Sequence, residues 1–232
     1  MIKRFLKCAL LLAIGMSLGW LGCLDDDDGG TGPVGPDGDA PATPKPVEIL
    51  GPKETDANRA DSLSVMARQY VNAANVYLDM ALGNLSSVEG VTPQRSGDTW
   101  TWVVEADDLT IHMAGTPGDD GVDWTVSLDG NMMGMTVKDW TAATGRTDEL
   151  GMSGTFTVYM PNTTTVMGTM GWAASEDGTI TADTQATDLL TGEMVSYHIE
   201  NRPDGSGSVT VSQADQQKFA ASWDAEGTVT PA

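Results

Sequence analysis

The side chains in this 232-residue chain that could do chemistry are few, apart from its acids. The two histidines, His112 and His198, each alternate with apolar neighbours, which predicts that each points to the polar side of a strand. Two histidines with no cysteine near them make a poor transition-metal site. We therefore interpret both as solvated strand residues and assign no metal ligand.

Hydrolase chemistry has little support in the sequence. A serine nucleophile would need one of these histidines beside it, and Gly151-Met-Ser153-Gly154 is not the Gly-x-Ser-x-Gly elbow. Among the 33 acidic residues no pair stands out as the two carboxyl groups of a glycosidase-type mechanism. Asp119, Asp120 and Asp123 lack the spacing of a calcium loop, and turns use Asp and Gly for their own geometry. The sequence thus predicts no catalytic residue and no cofactor, with a carboxylate-dependent hydrolase as the enzymatic alternative.

Aromatic rings are a second source of binding chemistry. Six of the seven tryptophans follow residue 99, and exposed rings of this kind form platforms for sugars. Burying a ring of about 200 Å² at about 25 cal/mol per Å² contributes on the order of 5 kcal/mol, so core positions are favoured. Trp140 is the exception because its parity differs from that of Val137. An outward Trp140 would be a ligand contact, whereas a β-bulge near Lys138 or Asp139 would turn it inward.

The 13 methionines are a third source, since Met132, Met133 and Met135 lie close together and could mark a soft-metal site such as copper. A Met-rich core that fills irregular gaps, or accommodates an acyl chain, is the interpretation that we favour. The second form of that core would make the protein a carrier of lipid or of another apolar ligand.

The first 23 residues have the layout of an export signal. A basic head precedes an apolar run of about 14 residues, whereas a membrane-spanning helix needs about 20. At Leu21-Gly22-Cys23 this segment resembles the lipobox of bacterial lipoproteins, with Trp20 where that family usually has an aliphatic residue. The resemblance implies that residues 1–22 are removed and that Cys23 becomes the lipid-bearing first residue. An ordinary signal peptide cleaved nearby and an uncleaved anchor are the alternatives.

The lipid would determine where in the cell the protein is located. Buried acyl chains contribute about 0.8 kcal/mol per CH₂, and two or more chains make attachment stable. Leu24 follows the cysteine in place of Asp, which resembles lipoproteins sent to the outer membrane. Residues 23–54, rich in Asp, Gly and Pro, are predicted to form an extended, disordered tether before a single domain over residues 55–232. We therefore expect a lipid-anchored protein of the bacterial cell envelope, at the outer membrane on its periplasmic or surface face.

Charge and cysteine content narrow the class of protein further. The leader holds Lys3, Arg4 and Lys7 and no acid, so the mature chain is even more acidic than the net charge of −21 for the whole sequence. Such a surface repels phosphate backbones, which disfavours nucleic-acid binding. Because Cys8 and Cys23 are the only cysteines, the domain can have neither disulfides nor thiol chemistry.

Two kinds of element must position these residues. Apolar residues recur at three- and four-residue steps between about Asp56 and Leu85, which predicts one amphipathic helix. From Thr99 onward the period changes to two, with Gly, Asp, Asn and Pro clusters between short runs, which predicts consecutive β-hairpins. The run from Val122 to Asp129 alternates most clearly between apolar and polar residues.

The predicted fold is mostly β with one N-terminal helix. About nine or ten antiparallel strands can hide their apolar faces only by curling or by packing in two layers. We expect a curved antiparallel meander or incomplete barrel packed on the helix, with a β-sandwich as the alternative. The predicted function is a non-enzymatic binding or structural module of an envelope lipoprotein. Its expected partners are the membrane, through the lipid, and an apolar ligand, a glycan or an envelope protein.

Overall fold

The computed structural model describes residues 39–44, 49–86, 88, 90–132, 134–188 and 191–232. The predicted signal peptide, Cys23 and most of the predicted tether lie outside the described residues, as does Met133. The chain divides into two units, Met1–Ala40 and Pro41–Ala232, and the fold below is that of the second.

Within the described part of the chain there is one α-helix, α1 (Ser62–Ser86). Asp61 caps its first turn, because its carboxylate accepts hydrogen bonds from the Ser64 amide at 2.8 Å and the Ser64 hydroxyl at 2.7 Å. One stripe of the helix is fully buried and consists of Ala67, Val71, Ala74 and Leu78. The predicted helix is confirmed, although it begins at Ser62 because residues 55–61 form hydrogen-bonded turns instead.

The β part is one antiparallel sheet of 12 strands that pair in chain order and do not close. The strands are β1 (Gln94–Ser96), β2 (Thr99–Ala106), β3 (Leu109–Gly118), β4 (Gly121–Met132), β5 (Met135–Thr147), β6 (Ser153–Tyr159), β7 (Val166–Ala174), β8 (Ile180–Thr187), β9 (Met194–Asn201), β10 (Gly207–Gln213), β11 (Gln216–Trp223) and β12 (Val229–Pro231). The predicted class, a mostly β meander or incomplete barrel with one helix, is confirmed, and the sheet is not a sandwich. The strand number exceeds the predicted nine or ten because the edge strands β1 and β12 are too short to show alternation.

Each long strand has one buried and one polar face. In β4, Val122, Trp124, Val126 and Leu128 are buried, whereas the intervening residues are exposed or half-buried. Helix α1 packs on the buried face and contacts β6 to β10 and β12. There the ring of Tyr70 lies 4.9 Å, between centroids, from the ring of Phe219 on β11. The core therefore lies between the helix and the sheet.

Four aromatic rings of this core lie over glycines on the adjacent strand. The pairs, directly opposite in register, are Gly115 with Trp124, Gly145 with Phe156, Gly154 with Trp172 and Gly207 with Trp223. A Cβ built on any of these glycines would come within 2.4 to 2.6 Å of a ring carbon. Only a residue with no side chain leaves room for the ring at these positions.

The packed unit starts upstream of residue 55, where the sequence placed the end of the tether. Ile49 is 1% exposed, and its backbone N–H and C=O both bond the side-chain amide of Asn75 on α1, at 3.3 and 2.8 Å. The Asn201 side chain donates to the Leu50 carbonyl at 3.1 Å, and Pro52 is buried. The segment 49–54 is thus part of the domain, held by side-chain amides that satisfy its backbone.

Candidate functional site

Trp140, the one residue that the sequence offered as a ligand contact, is buried. Leu128 lies opposite Trp140 and Gly130 opposite Val137, so the sheet register shifts across Lys138 and Asp139. Asp139 has a φ of 45°, and its amide donates to the Asp129 carboxylate at 3.3 Å. This is the bulge that the sequence allowed, and it turns Trp140 inward to 8% exposure, away from any surface ligand.

Most of the other tryptophans in the described part of the chain are buried as well. Four of them are between 2% and 4% exposed, namely Trp102, Trp124, Trp172 and Trp223. Their indole N–H groups differ, since that of Trp124 bonds the Thr147 hydroxyl at 2.9 Å whereas that of Trp172 has no partner. Trp100 is half-buried with the Arg95 guanidinium 5.4 Å above its ring. The interpretation of these rings as core residues is therefore confirmed for the four buried ones.

The two histidines lie on the polar side of their strands, as predicted, and the structure does not bring them together. His112 is half-buried on β3, opposite Ser127 of β4. His198 lies on β9, where its Nδ1 is 2.7 Å from an Asp183 carboxylate oxygen of β8, and both side chains are more than half exposed. Among the described residues no group of three or more His, Cys, Asp or Glu side chains is placed to hold a metal ion.

Several aspartates have a lowered pKa because they accept hydrogen bonds within turns. Asp177 accepts a hydrogen bond from the Ser175 hydroxyl and another from the Thr179 amide, and these bonds hold the pKa of its carboxyl below the usual range. Bonds from Ser206 lower the pKa of Asp204 in the same way, and the Thr228 amide lowers that of Asp224. A lowered pKa keeps these groups ionised as acceptors, which is the reverse of what a general acid needs.

An open concavity lies between two such turns. It is a groove of about 560 Å³ formed by the β9–β10 turn, the β11–β12 turn and the outer sides of β10 and β11. Its polar groups include the hydroxyls of Ser208, Ser222 and Thr230 and the carboxylates of Asp204, Asp224 and Glu226. We call this feature the hydroxyl groove.

The hydroxyl groove is suited to hydrogen bonding rather than to apolar binding. The Ser222 and Thr230 hydroxyl oxygens are 3.1 Å apart, and the groove's one guanidinium, that of Arg202, is paired with Glu200.

A smaller groove of about 310 Å³ shares Glu226 and Thr228 with the hydroxyl groove and reaches the start of α1. The sequence pattern did not predict the hydroxyl groove. The signal that could have indicated it is the pair of five-residue turns, Arg202–Ser206 and Asp224–Thr228, each of which has an aspartate and a glycine.

The buried face of the sheet, where a carrier would hold its ligand, is occupied by side chains. Met113, Ile199 and Val209 are fully buried on the strands, and Ala67, Val71 and Ala74 are fully buried on α1. Tyr197 lies 6.3 Å from both Tyr70 and Tyr77 of the helix, between ring centroids. Burial, together with the neighbouring Tyr77 hydroxyl, raises the pKa of Tyr197 to about 12. The helix thus covers the buried face along β6 to β10 and β12.

Comparisons with known proteins do not assign the chain to a family. No protein-family model matches the chain, and neither the curated proteins nor the solved structures contain a significant match. In the described part of the chain, no helix has the length and apolar character needed to cross a bilayer.

Proposed function

We propose that this protein is a lipid-anchored protein of the bacterial cell envelope whose β domain is a non-enzymatic binding or structural module. The anchor is Cys23, on the lipobox-like Leu21-Gly22-Cys23, and the address is the outer membrane. The observation that carries the choice of a module is the packed interior, in which α1 lies against the buried face of the sheet. Contact with a partner is then made by the outer surface, where the hydroxyl groove presents oxygen acceptors and donors.

This proposal is better supported than its two alternatives. A carrier of apolar ligands needs an enclosed apolar cavity of about 300 Å³ or more, whereas the two grooves described above are open to solvent and the larger one is mainly polar. A carboxylate-dependent hydrolase needs an acid with a raised pKa beside a second carboxylate. Among the described residues, the carboxyl groups whose pKa departs from the usual range have it lowered, and they accept hydrogen bonds from backbone amides and hydroxyls.

The anchor is tested by replacing its cysteine. The full-length chain and its Cys23→Ala variant are expressed in a bacterium that has an outer membrane, fed with a labelled fatty acid and fractionated. We expect the parent chain to carry label and to sediment with outer membranes, and Cys23→Ala to lose the label and most of its membrane association, because it lacks the thiol that bears the lipid.

The matched control is Cys8→Ala, which removes the other cysteine of the chain and should keep the label. A Cys23→Ala protein that remains membrane-bound and is processed like the parent would overturn the anchoring proposal.

A further inference from the structure

We propose that the turn between β5 and β6, with Leu50 on the same end of the sheet, is a membrane-contact surface that rests in the interface of the bilayer holding the lipid anchor. This inference depends on the anchoring at Cys23 proposed above. We call the three exposed apolar residues Leu50, Leu150 and Met152 the apolar tip. Their side chains are 52%, 66% and 50% exposed, respectively.

The turn holds its two apolar side chains in a fixed position. One carboxylate oxygen of Asp148 accepts hydrogen bonds from the amides of Leu150 and Met152 at 3.0 and 2.9 Å, and the other accepts from the Ser153 hydroxyl at 2.7 Å. Gly151 closes the turn with a φ of 69° and a bond from its amide to the Asp148 carbonyl. Hydrogen bonds thus fix the backbone of this turn, and the fixed backbone holds the Leu150 and Met152 side chains at the surface.

Other turns at the same end of the sheet have a different composition. In a meander whose strands alternate in direction, the β7–β8, β9–β10 and β11–β12 turns lie at the same end as the β5–β6 turn. They read Ser-Glu-Asp-Gly-Thr, Arg-Pro-Asp-Gly-Ser and Asp-Ala-Glu-Gly-Thr, with no large apolar residue. A turn in this position does not need Leu or Met for its own geometry, so the apolar tip has another role.

The chain joins the domain at this same end. Pro44 is buried against the turn, and a Cβ built on Gly151 would lie 3.7 Å from its Cα atom. Leu50 lies beside the end of β9, where Asn201 bonds its carbonyl. The 22 residues from Cys23 to Pro44, with 21 steps between consecutive Cα atoms, can span at most about 75 Å, so a bilayer that holds the lipid is within reach of the tip. A tether of this length raises the effective concentration of a weak contact.

The charges around the tip select the kind of membrane contact. Glu149 precedes Leu150, and the neighbouring turns carry further carboxylates, so anionic headgroups would repel this end. The contact is consequently shallow and apolar, with Leu and Met side chains at the headgroup boundary of a zwitterionic bilayer.

The test compares two methionines of similar exposure. The mature chain, residues 23–232, is coupled through Cys23, its single cysteine, to a maleimide phospholipid and bound to phosphatidylcholine vesicles. Oxidation by dilute peroxide is followed by peptide mass spectrometry at Met152 and at Met194, which is 47% exposed at the opposite end of the sheet. We expect Met152 to oxidise at least about threefold more slowly on vesicles than in solution, while Met194 keeps its rate.

A substitution separates membrane protection from local effects. Leu150→Ser should remove most of the protection of Met152, measured relative to its own rate in solution. Val166→Ser, at the opposite end and 44% exposed, should leave that protection intact. If Met152 and Met194 oxidise in the same ratio on vesicles as in solution, the membrane contact is refuted and the tip would instead bind a partner protein. Because the lipid is attached chemically, this outcome is independent of whether cells modify Cys23.

Discussion

Four glycines of the sheet are the residues on which its aromatic core depends most directly. In each case a ring lies where the glycine's side chain would be, on the strand directly opposite. Trp124 shows the consequence: it is 2% exposed, and its indole N–H bonds the buried Thr147 hydroxyl. The ring cannot move aside without losing that bond, so Gly115 has no substitute.

Replacing Gly115 by Ala should therefore lower the free energy of unfolding by about 1–3 kcal/mol, the usual cost of overpacking a core. The new Cβ would meet three ring atoms of Trp124 at 2.6 to 3.0 Å. Urea unfolding followed by tryptophan fluorescence measures the change.

Gly171→Ala is the matched control, because its new Cβ would face outward. The atom nearest to that Cβ would be the Thr155 Cγ2, at 3.4 Å. That variant should change the stability by less than about 0.5 kcal/mol. Equal losses in the two variants would contradict the role given to the glycine–aromatic pairs.

At this scale the sequence predicted burial better than it predicted contacts. Parity alone placed Trp102, Trp124 and Trp172 in the core, and it reduced Trp140 to a choice between a bulge and an outward ring. The glycine partners could not be predicted, because which residues lie opposite depends on the register between strands. That register follows from turn geometry and bulges that the hydrophobic pattern does not specify.

Turns are the elements whose chemistry is most uniform. The β7–β8, β9–β10 and β11–β12 turns each have a glycine at φ between 82° and 89°, and each has an aspartate whose pKa is lowered by hydrogen bonds within the turn. The carboxylate takes up amides that the turn leaves without a strand partner. Two of these turns also form the walls of the hydroxyl groove.

The pKa of each of these aspartates is lower in the folded state than in the unfolded state. The stability that the turns contribute therefore depends on pH. It is present above the ordinary aspartate pKa of 3.8 and is lost as the pH falls through that value toward the folded-state pKa. A triple variant, Asp177→Asn, Asp204→Asn and Asp224→Asn, should be less stable than the parent at pH 7 and nearly equal to it near pH 2. Chemical unfolding at a series of pH values measures the difference, and a difference that does not shrink on acidification would contradict the assignment.

Elements of regular period were predictable, and short or irregular ones were not. The helix and the ten longer strands follow from periods of 3.6 and two that persist over several residues. The edge strands β1 and β12 are defined only by the neighbour with which each pairs. Ile49 lies in a segment rich in Pro and Gly, and its backbone is held by a side chain distant in the sequence, Asn75, which the hydrophobic pattern does not indicate. The hydroxyl groove likewise exists only because turns about 20 residues apart meet on adjacent hairpins.

For the molecule as a whole, the packed interior bears on where a partner could bind, and the lipobox-like leader bears on where in the cell the protein is expected. Helix α1 packs on the buried face of the sheet along β6 to β10 and β12, which supports the proposal that a partner binds at the outer surface or at the end that carries the apolar tip. The leader, which predicts an envelope location, belongs to the residues that the structure does not describe. Sequence alone could not decide whether the methionines and tryptophans formed a filled core or a hollow one, because both need the same apolar residues.

The most direct test of this account is the mass of the mature protein purified from membranes, measured in native and in denaturing conditions. We predict that the two masses agree and that both exceed the mass of the polypeptide 23–232 by that of a covalently bound lipid. The agreement follows from the filled interior, and the excess follows from acylation of Cys23. A native mass that exceeds the denatured mass by that of an apolar small molecule would contradict the filled interior, and a denatured mass equal to that of the bare polypeptide would contradict the anchor.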